Sequence, residues 1–288
     1  MHQETVTLPA VGIDDRGDAL YLAEITRRQE TLQVARLSRL SDRGAIGNDW
    51  PERARVVMAV PDAMVIVKSL QIPASAPGPV DSIIRFELAE SLLDDISEFQ
   101  FQTEMTGRTG KYLGLVYRRA LLRDLTERVG LGDSGRSVCH QARALALGRG
   151  YLTFCDRAAG ELIGLVDLGG EAASVCLVFQ ESIVDLAAVD LRGLDLDKDT
   201  GRKQFAVDLK TVVNFRRAAL QDRGINVPLS TVVMSGERAD GRLREMVRTY
   251  FPGGVDLPRV RLSHFGPDSG IADVNPELWL VALGLTAN

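Results

Sequence analysis

Cysteine, histidine and aromatic residues are scarce in this chain of 288 residues: three Cys, three His and an aromatic share of 6%. Cys139, Cys155 and Cys176 lie far apart and none forms a Cys-x-x-Cys pair, which argues against a disulfide framework or a thiolate metal site. All three sit among apolar residues, so buried free thiols in a reducing compartment are expected. A Ser-His-Asp or Cys-His arrangement needs only to meet in space, but no Gly-x-Ser-x-Gly elbow is present. His2 falls near the start of the chain, and Cys139 and His140 are adjacent, so on a strand they point to opposite faces. No apolar run approaches the ~20 residues that span a bilayer, and the first residues lack a basic-then-apolar leader. A soluble cytoplasmic chain is therefore expected, reaching the inner membrane only through a partner. Charge of one sign is also missing. With 34 Lys and Arg against 39 Asp and Glu the net charge is −5, which argues against a nucleic-acid platform.

What is present is ordinary globular material, 45% apolar and 25% charged, long enough for two domains or one two-lobed unit. Short apolar segments over Val11–Asp14, Leu20–Thr26 and Thr31–Leu37 read as strands. After a polar loop ending at Trp50-Pro51, Ala54–Val60 and Met64–Leu70 flank a turn at Pro61-Asp62. The period then changes: Val80, Ile83, Ile84, Leu88 and Leu92 fall at helical spacing, with Pro79 suited to the first turn. Phe99–Met105 and Tyr112–Tyr117 read as a strand pair, and Arg119–Val129 as a helix stopped by Gly130. Residues 141–154 are expected to be helical despite Gly148 and Gly150. In the second half, Leu162–Asp167, Ala173–Phe179 and Ile183–Leu191 form a meander. A charged loop over Asp195–Gly201 leads to an amphipathic helix from Phe205 to Leu220, stopped by Gly224. A strand at Thr231–Met234, a helix over Leu243–Tyr250, a strand at Val255–Val260 and a helix over Pro276–Leu285 complete the chain.

The most informative stretch is Leu162–Asp167 followed by Leu168-Gly169-Gly170 and the strand after it. An apolar strand ends in a carboxylate beside glycines whose backbone N–H groups are open. Such a turn can face a hydrated metal and a phosphoryl group. Val11-Gly12-Ile13-Asp14, then Asp15-Arg16-Gly17-Asp18 and the strand from Ala19, has the same grammar about 150 residues earlier. Two such hairpins suggest a duplicated fold. Turns after strands are rich in Asp and Gly anyway, so each hairpin alone is weak evidence. The loop Asp195, Asp197, Asp199 has alternating oxygens but lacks the glycine and distal Glu of an EF-hand, and reads as solvated. Arg216-Arg217 and Arg242, Arg244 and Arg248 read as solvated helix faces.

Taken in order, these segments resemble the PilM family, the actin-like proteins of type IV pilus assembly, related to FtsA and to the cytoplasmic part of GspL-like secretion proteins. Val56–Asp62 through Val67–Pro73 resembles the family's strand, Pro, strand, Leu-Pro passage, and Ile84–Glu90 the helix after it. Val166-Asp167-Leu168-Gly169 resembles the second phosphate hairpin and Asp208–Gln221, with Asn214-Phe215, the helix before the adenosine segment. That segment is represented by Val232–Gly236, and Asn275-Pro276 to Ala282–Leu285 resembles the closing helix. The likeness covers nearly the whole chain, and it rests on order and spacing rather than on one motif.

The resemblance implies an α/β, bilobed actin-like fold, an RNase H-like duplication with a small inserted β-β-α subdomain. The expected boundaries are a first lobe over 1–97 returning at 138–160, the insert at 98–137, and a second lobe over 161–288. Nucleotide-facing positions implied by it are Asp14, Gly17, Asp167, Gly169, Gly170 and Gly236, with Asp14 and Asp167 near Mg only if ATP binds. The first hairpin departs from the family: its glycine position carries Arg16, its small-residue positions Gly17, Asp18 and Ala19, and its lysine position Tyr21. A carboxylate added about 5 Å from a phosphate oxygen costs roughly 3 kcal/mol at an effective dielectric near 20, which Arg16 offsets in part. Glu237 stands where the adenosine segment has a second glycine. The expected site is therefore degenerate, with no cofactor required and Mg-ATP bound weakly if at all.

The function this implies is a non-catalytic scaffold of a type IV pilus or type II secretion-like inner-membrane assembly complex. Its partner is a bitopic membrane protein with a short cytoplasmic tail, like PilN. The alternative is a Mg-ATP-binding actin-like ATPase or phosphotransferase, although no acid stands out as the base that positions a nucleophile. In the family the tail enters beside the insertion. Here Phe99, Phe101, Tyr112 and Tyr117, with Arg85 and Arg118, are the corresponding candidates, placing a peptide between Phe99–Tyr117 and the helix Val80–Leu93. Both arginines are expected to face solvent. The rings equally suit the insertion's own core.

Overall fold

The computed structural model describes residues 9–28, 31–41, 46, 54–73, 75–76, 78–107, 110–132, 136–156, 160–267, 269–271 and 274–287. His2 and the Trp50-Pro51 loop lie outside the described residues. β1 (Ala10–Asp15), β2 (Leu20–Arg28) and β3 (Thr31–Leu40) form an antiparallel meander, and β4 (Arg55–Val60) pairs parallel with β1. β5 (Val65–Gln71), α1 (Val80–Ala89), β6 (Phe99–Met105), β7 (Lys111–Arg118) and α2 (Arg119–Arg128) follow. The chain returns through β8 (Val138–Ala142), parallel to β4, and α3 (Arg143–Phe154). β9 (Leu162–Asp167), β10 (Ala172–Phe179) and β11 (Ser182–Asp190) make the second meander. After it come α4 (Asp199–Asp222), β12 (Leu229–Ser235), α5 (Gly241–Arg248), the two-residue β13 (Val255–Asp256) and α6 (Leu280–Thr286).

The expected duplication is present. One sheet has the order β3-β2-β1-β4-β8 and the other β11-β10-β9-β12-β13, with the same sequence of antiparallel and parallel pairings. The central strands explain themselves. β1 and β9 pair with an antiparallel strand on one side and a parallel one on the other, and helices cover the sheets. Strands buried on both faces lose the period-two alternation and read as unbroken apolar runs. β9 is buried at every position and β1 at its four central ones.

By compactness the chain divides into Met1–Val60, Arg123–Asp156 and Pro258–Asn288 as one unit, and Pro61–Leu122 and Arg157–Leu257 as the other. Two of the expected boundaries move. β5 pairs along its length with β7 in a three-stranded sheet, β5-β7-β6, and α1 covers that sheet, so the inserted module begins well before residue 98. The segment after Pro258 belongs with the first unit rather than with the second lobe. α6 packs over β1, β2 and α3 there. Glycines permit this approach: a Cβ on Gly12 of β1 would meet the Ala282 carbonyl oxygen at 2.0 Å, and one on Gly284 would meet the Ala146 carbonyl oxygen at 1.7 Å. Phe154, Trp279, Leu283 and Tyr21 fill the core beside them.

Two further readings change. β8 takes residues 138–142, which spacing assigned in part to a helix, and α4 begins at Asp199, inside the expected loop. Its buried stripe includes Phe205, Leu209, Val213 and Leu220, against β11 and α5. Among the described residues no helix is long and apolar enough to cross a membrane.

Candidate functional site

Asp14 and Asp167 occupy corresponding strand ends, and both are fully buried. Their partners differ in kind. Asp14 Oδ2 accepts hydrogen bonds from Arg16 Nε and from an Arg143 terminal nitrogen, each at 2.9 Å. The three side chains are at most 5% exposed. Arg16 also donates to the Leu278 carbonyl at 2.8 Å, and its guanidinium lies 4.4 Å from the centre of the Tyr21 ring. Tyr21 is fully buried and meets Trp279 edge-on at 5.0 Å. The residue at the family's lysine position is thus a core residue.

Sequence reasoning missed Arg143. It opens α3, where a cation opposes the helix dipole, and it follows the buried end of β8. An arginine opening a helix behind a buried strand implies a nearby carboxylate, but only the fold says which one. Asp15 and Asp18 do not act as loose negative charges either. Asp15 accepts from the Gly17 amide at 2.9 Å and stands 3.7 Å from Arg128, and Asp18 is 3.6 Å from Arg39. Each added carboxylate at this hairpin thus has a guanidinium within 4 Å, and Asp14 itself is engaged by two.

Asp167 Oδ1 accepts from the Ser235 hydroxyl at 2.9 Å, and the Leu168 amide donates to the Ser235 carbonyl at 3.0 Å. Gly169 is buried and Gly170 half-buried beside it. Gly236 has φ +98°, and a Cβ there would lie 2.8 Å from the Leu168 nitrogen. The close approach of the end of β12 to this turn thus requires a glycine at that position. Gly17, with φ +92°, supplies the left-handed turn of the first hairpin, and Glu237 is exposed.

In the inserted module, Phe99 and Phe101 share the face that packs on α1, as alternation requires. Phe99, Val116, Leu70, Ile84 and Leu88 form one core. A Cβ on Gly114 would lie 2.7 Å from a Leu88 methyl. The space expected to take a peptide, between Phe99–Tyr117 and Val80–Leu93, is filled by the module's own side chains. Tyr117 is fully buried and donates to Gln102 Oε1 at 2.7 Å. Phe101 and Tyr112 are half-buried. Arg85 is exposed, its guanidinium 5.5 Å from the Phe101 ring centre. Arg118 is exposed but engaged, paired with Asp94 and, at 3.6 Å, with Glu98.

A third buried carboxylate was not foreseen. Asp185 on β11 is 1% exposed and pairs with Arg223 at 2.8 Å, with Arg216 at 3.9 Å. Arg216 therefore faces a carboxylate rather than open solvent. Burial pushes the Asp185 carboxyl above its ordinary range, against the two arginines that lower it. Arg223 sits at the end of α4 and also donates to Ser69 Oγ on β5 at 2.9 Å, while its carbonyl accepts from Lys111 of β7. It ties the module to the second meander.

Cys155 and Cys176 are buried, and burial pushes the Cys155 thiol to about 12 and Cys176 well above its ordinary value. Cys139 is exposed, contrary to expectation. His140 Nε2 is 2.9 Å from the Thr126 hydroxyl. In the 195–199 loop, Asp195 pairs with Lys198 and Asp199 with Arg202, and among the described residues no group of three His, Cys, Asp or Glu is placed to hold a metal.

No family model and no curated protein matches the sequence. The fold does match solved structures. A PilM–PilN type IV pilus biogenesis complex is similar with a TM-score of 0.67 at 15% identity, over 96% of this chain and 97% of that one. A Bacteroides thetaiotaomicron protein with an actin-like ATPase fold and unknown function is similar at 0.53 and 7% identity, over 93% and 96%. The cytoplasmic domain of EpsL, an inner-membrane component of the type II secretion system of Vibrio cholerae, is similar at 0.50 and 14%, over 98% and 95%. The chain has the actin-like fold.

Proposed function

We propose that this actin-like protein is a non-catalytic scaffold of a pilus or type II secretion-like assembly, holding a segment of a bitopic inner-membrane protein. The observation that carries the non-catalytic part is the Arg16–Asp14–Arg143 cluster. An aspartate that faces a hydrated magnesium must offer negative charge to it. Here the carboxylate already accepts from two cations, and a metal beside it would meet their like charge. The Asp14 side does not fit Mg-ATP, whereas the Asp167 hairpin, with its glycines and Ser235, is compatible with it. The partner follows from likeness to the PilM–PilN complex and EpsL structures.

With the module's interior filled, docking falls to its outer surface. β6 is an edge strand of the three-stranded sheet, and a peptide can add to such an edge by main-chain hydrogen bonds. Exposed Arg85 beside Phe101, and Phe86 at 63% exposure, supply side-chain contacts.

Two measurements test this. Calorimetry with Mg-ATP should give a dissociation constant weaker than about 0.1 mM. Micromolar affinity abolished by Asp167→Ala would reverse the reading in favour of an ATPase. Titration with the cytoplasmic-tail peptide of a PilN-like bitopic membrane protein should show saturable binding, weakened about tenfold by Arg85→Glu. Binding that is absent, or indifferent to Arg85→Glu, would defeat the proposed surface.

A further inference from the structure

The second unit carries a small cavity of about 190 Å³, walled by α4, the first part of β12 and the turn after α5. Small-molecule sites usually measure about 300–1,000 Å³, so this one suits a single side chain or a small anion. Lys210, Asn214 and Arg217 line it from α4, opposite Thr231 and Tyr250, and no carboxylate is among the lining residues. Lys210 Nζ lies 5.6 Å from the centre of the Tyr250 ring. The other arginines of this helix are engaged: Arg202 by Asp199 and Asp240, Arg216 and Arg223 by Asp185. Among the described residues, Lys210 and Arg217 have no acidic partner within ion-pair distance. In a chain of net charge −5, two uncompensated cations around one cavity are a local reversal of sign.

The far wall is fixed. The Val232 amide donates to the Gly254 carbonyl at 3.1 Å, and the Thr231 hydroxyl donates to the same oxygen at 3.3 Å. A Cβ on Gly253 would lie 1.8 Å from the Ser230 carbonyl oxygen, so the turn lies directly on the strand backbone. The cationic wall is longer than the cavity. Lys203, Lys210 and Arg217 recur every seven residues, two helical turns, and so share a face over ~21 Å at ~1.5 Å per residue. Val207, 38% exposed, lies between the first two. An extended chain covers that distance in about six or seven residues at ~3.3 Å each.

We propose that this face of α4 binds an extended acidic segment of a partner protein, one carboxylate entering the cavity between Lys210 and Arg217. Charge complementarity selects the occupant, and the wall length sets its extent. The site is independent of the docking surface on the module and of the state of the two hairpins.

The probe is a fluorescein-labelled heptapeptide of alternating Glu and Leu, followed by anisotropy at about 50 mM salt, where screening is weak. The wild-type protein should bind it saturably, and the Gln-for-Glu peptide about tenfold more weakly. Lys210→Glu with Arg217→Glu should weaken binding more than about tenfold, whereas Arg242→Glu, at an exposed position of α5, should leave it unchanged. Thermal melts must show both variants folded. If the reversal pair unfolds, Lys210→Gln with Arg217→Gln serves instead. Equal binding of the two peptides, or binding that survives the loss of both cations, overturns the proposal. So does inorganic phosphate shifting the NMR signals of α4 when the peptide does not, which would make this a small-anion site.

Discussion

The two repeats have one topology and two chemistries. In the first, the aspartate at the end of the leading strand is clamped by Arg16 and Arg143, and in the second it meets a serine hydroxyl. Both carboxylates are buried, so burial does not separate them. What separates them is the sign of the groups brought up by the following elements: a turn arginine and a helix-opening arginine in one repeat, the end of a parallel strand in the other. A duplicated backbone conserves where a carboxylate is placed, while the character of that place depends on residues 2 and 129 positions away.

That contrast can be tested by removing each carboxylate in turn. Asp14→Ala leaves two guanidiniums buried without their counterion and should cost about 3–5 kcal/mol. Asp167→Ala removes a hydrogen bond to a hydroxyl and should cost about 1–3 kcal/mol. Urea unfolding of the two variants measures the difference, and equal losses would mean the arginine clamp adds nothing to the first repeat.

The glycines of the two leading strands sharpen the contrast at the level of packing. Gly12 abuts the Ala282 carbonyl, whereas a Cβ on Gly164 would meet only side-chain atoms, the nearest at 3.5 Å. Gly12→Ala should therefore cost about 1–3 kcal/mol through displacement of α6, and Gly164→Ala should stay within about 0.5 kcal/mol of the parent. Melting temperatures of the pair decide it.

Arg223, at the end of α4, pairs with the buried Asp185 of the second repeat. Arg223→Ala should cost about 1–2 kcal/mol, discounted for partial exposure, and should raise hydrogen exchange in β5 more than in β12.

The smallest effect is a pH dependence at Asp185. Its folded-state value lies above the ordinary 3.8 because of burial. The folded chain therefore holds this proton more tightly than the unfolded one. The resulting stabilisation is full below the unfolded value and is lost as pH rises through the folded value. Stability of the wild type relative to Asp185→Asn should fall as pH is raised from about 3.5 to 6. A difference that rises with pH would mean that Arg223 and Arg216 outweigh burial.

The strands, the duplication and the actin-like order were legible because the leading strand of each meander ends in Asp before a glycine-containing turn and because those strands are continuous apolar runs. The membership of β5 was not, since its apolar residues suit any sheet and its partner β7 lies beyond α1 and β6. β8 was hidden because Val138–Ala142 is too short to show a period before the apolar residues of α3 begin. At the site, the positions of Asp14 and Asp167 were readable, but their environments were not. Arg143 is remote in sequence, and whether Asp15 repels a ligand depends on Arg128, which spacing cannot place. Phe99 and Phe101 were put on one face by alternation alone, whereas the residues that pack against that face, Leu70, Ile84, Leu88 and Val116, come together only in the fold.

The return of α6 to β1 has a consequence for the order in which the protein is built. Segments 61–122 and 157–257, which make up the second unit, are complete before residues 258–288 leave the ribosome. The first unit begins the chain but lacks the helix that seats against Gly12, Gly150 and Gly284 until residues 280–286 have been made. Nascent chains ordinarily fold N-terminal domain first. Here β1 to β4 must wait for α6, which follows every segment of the second unit in the sequence, so the unit whose strands come earlier completes its folding later.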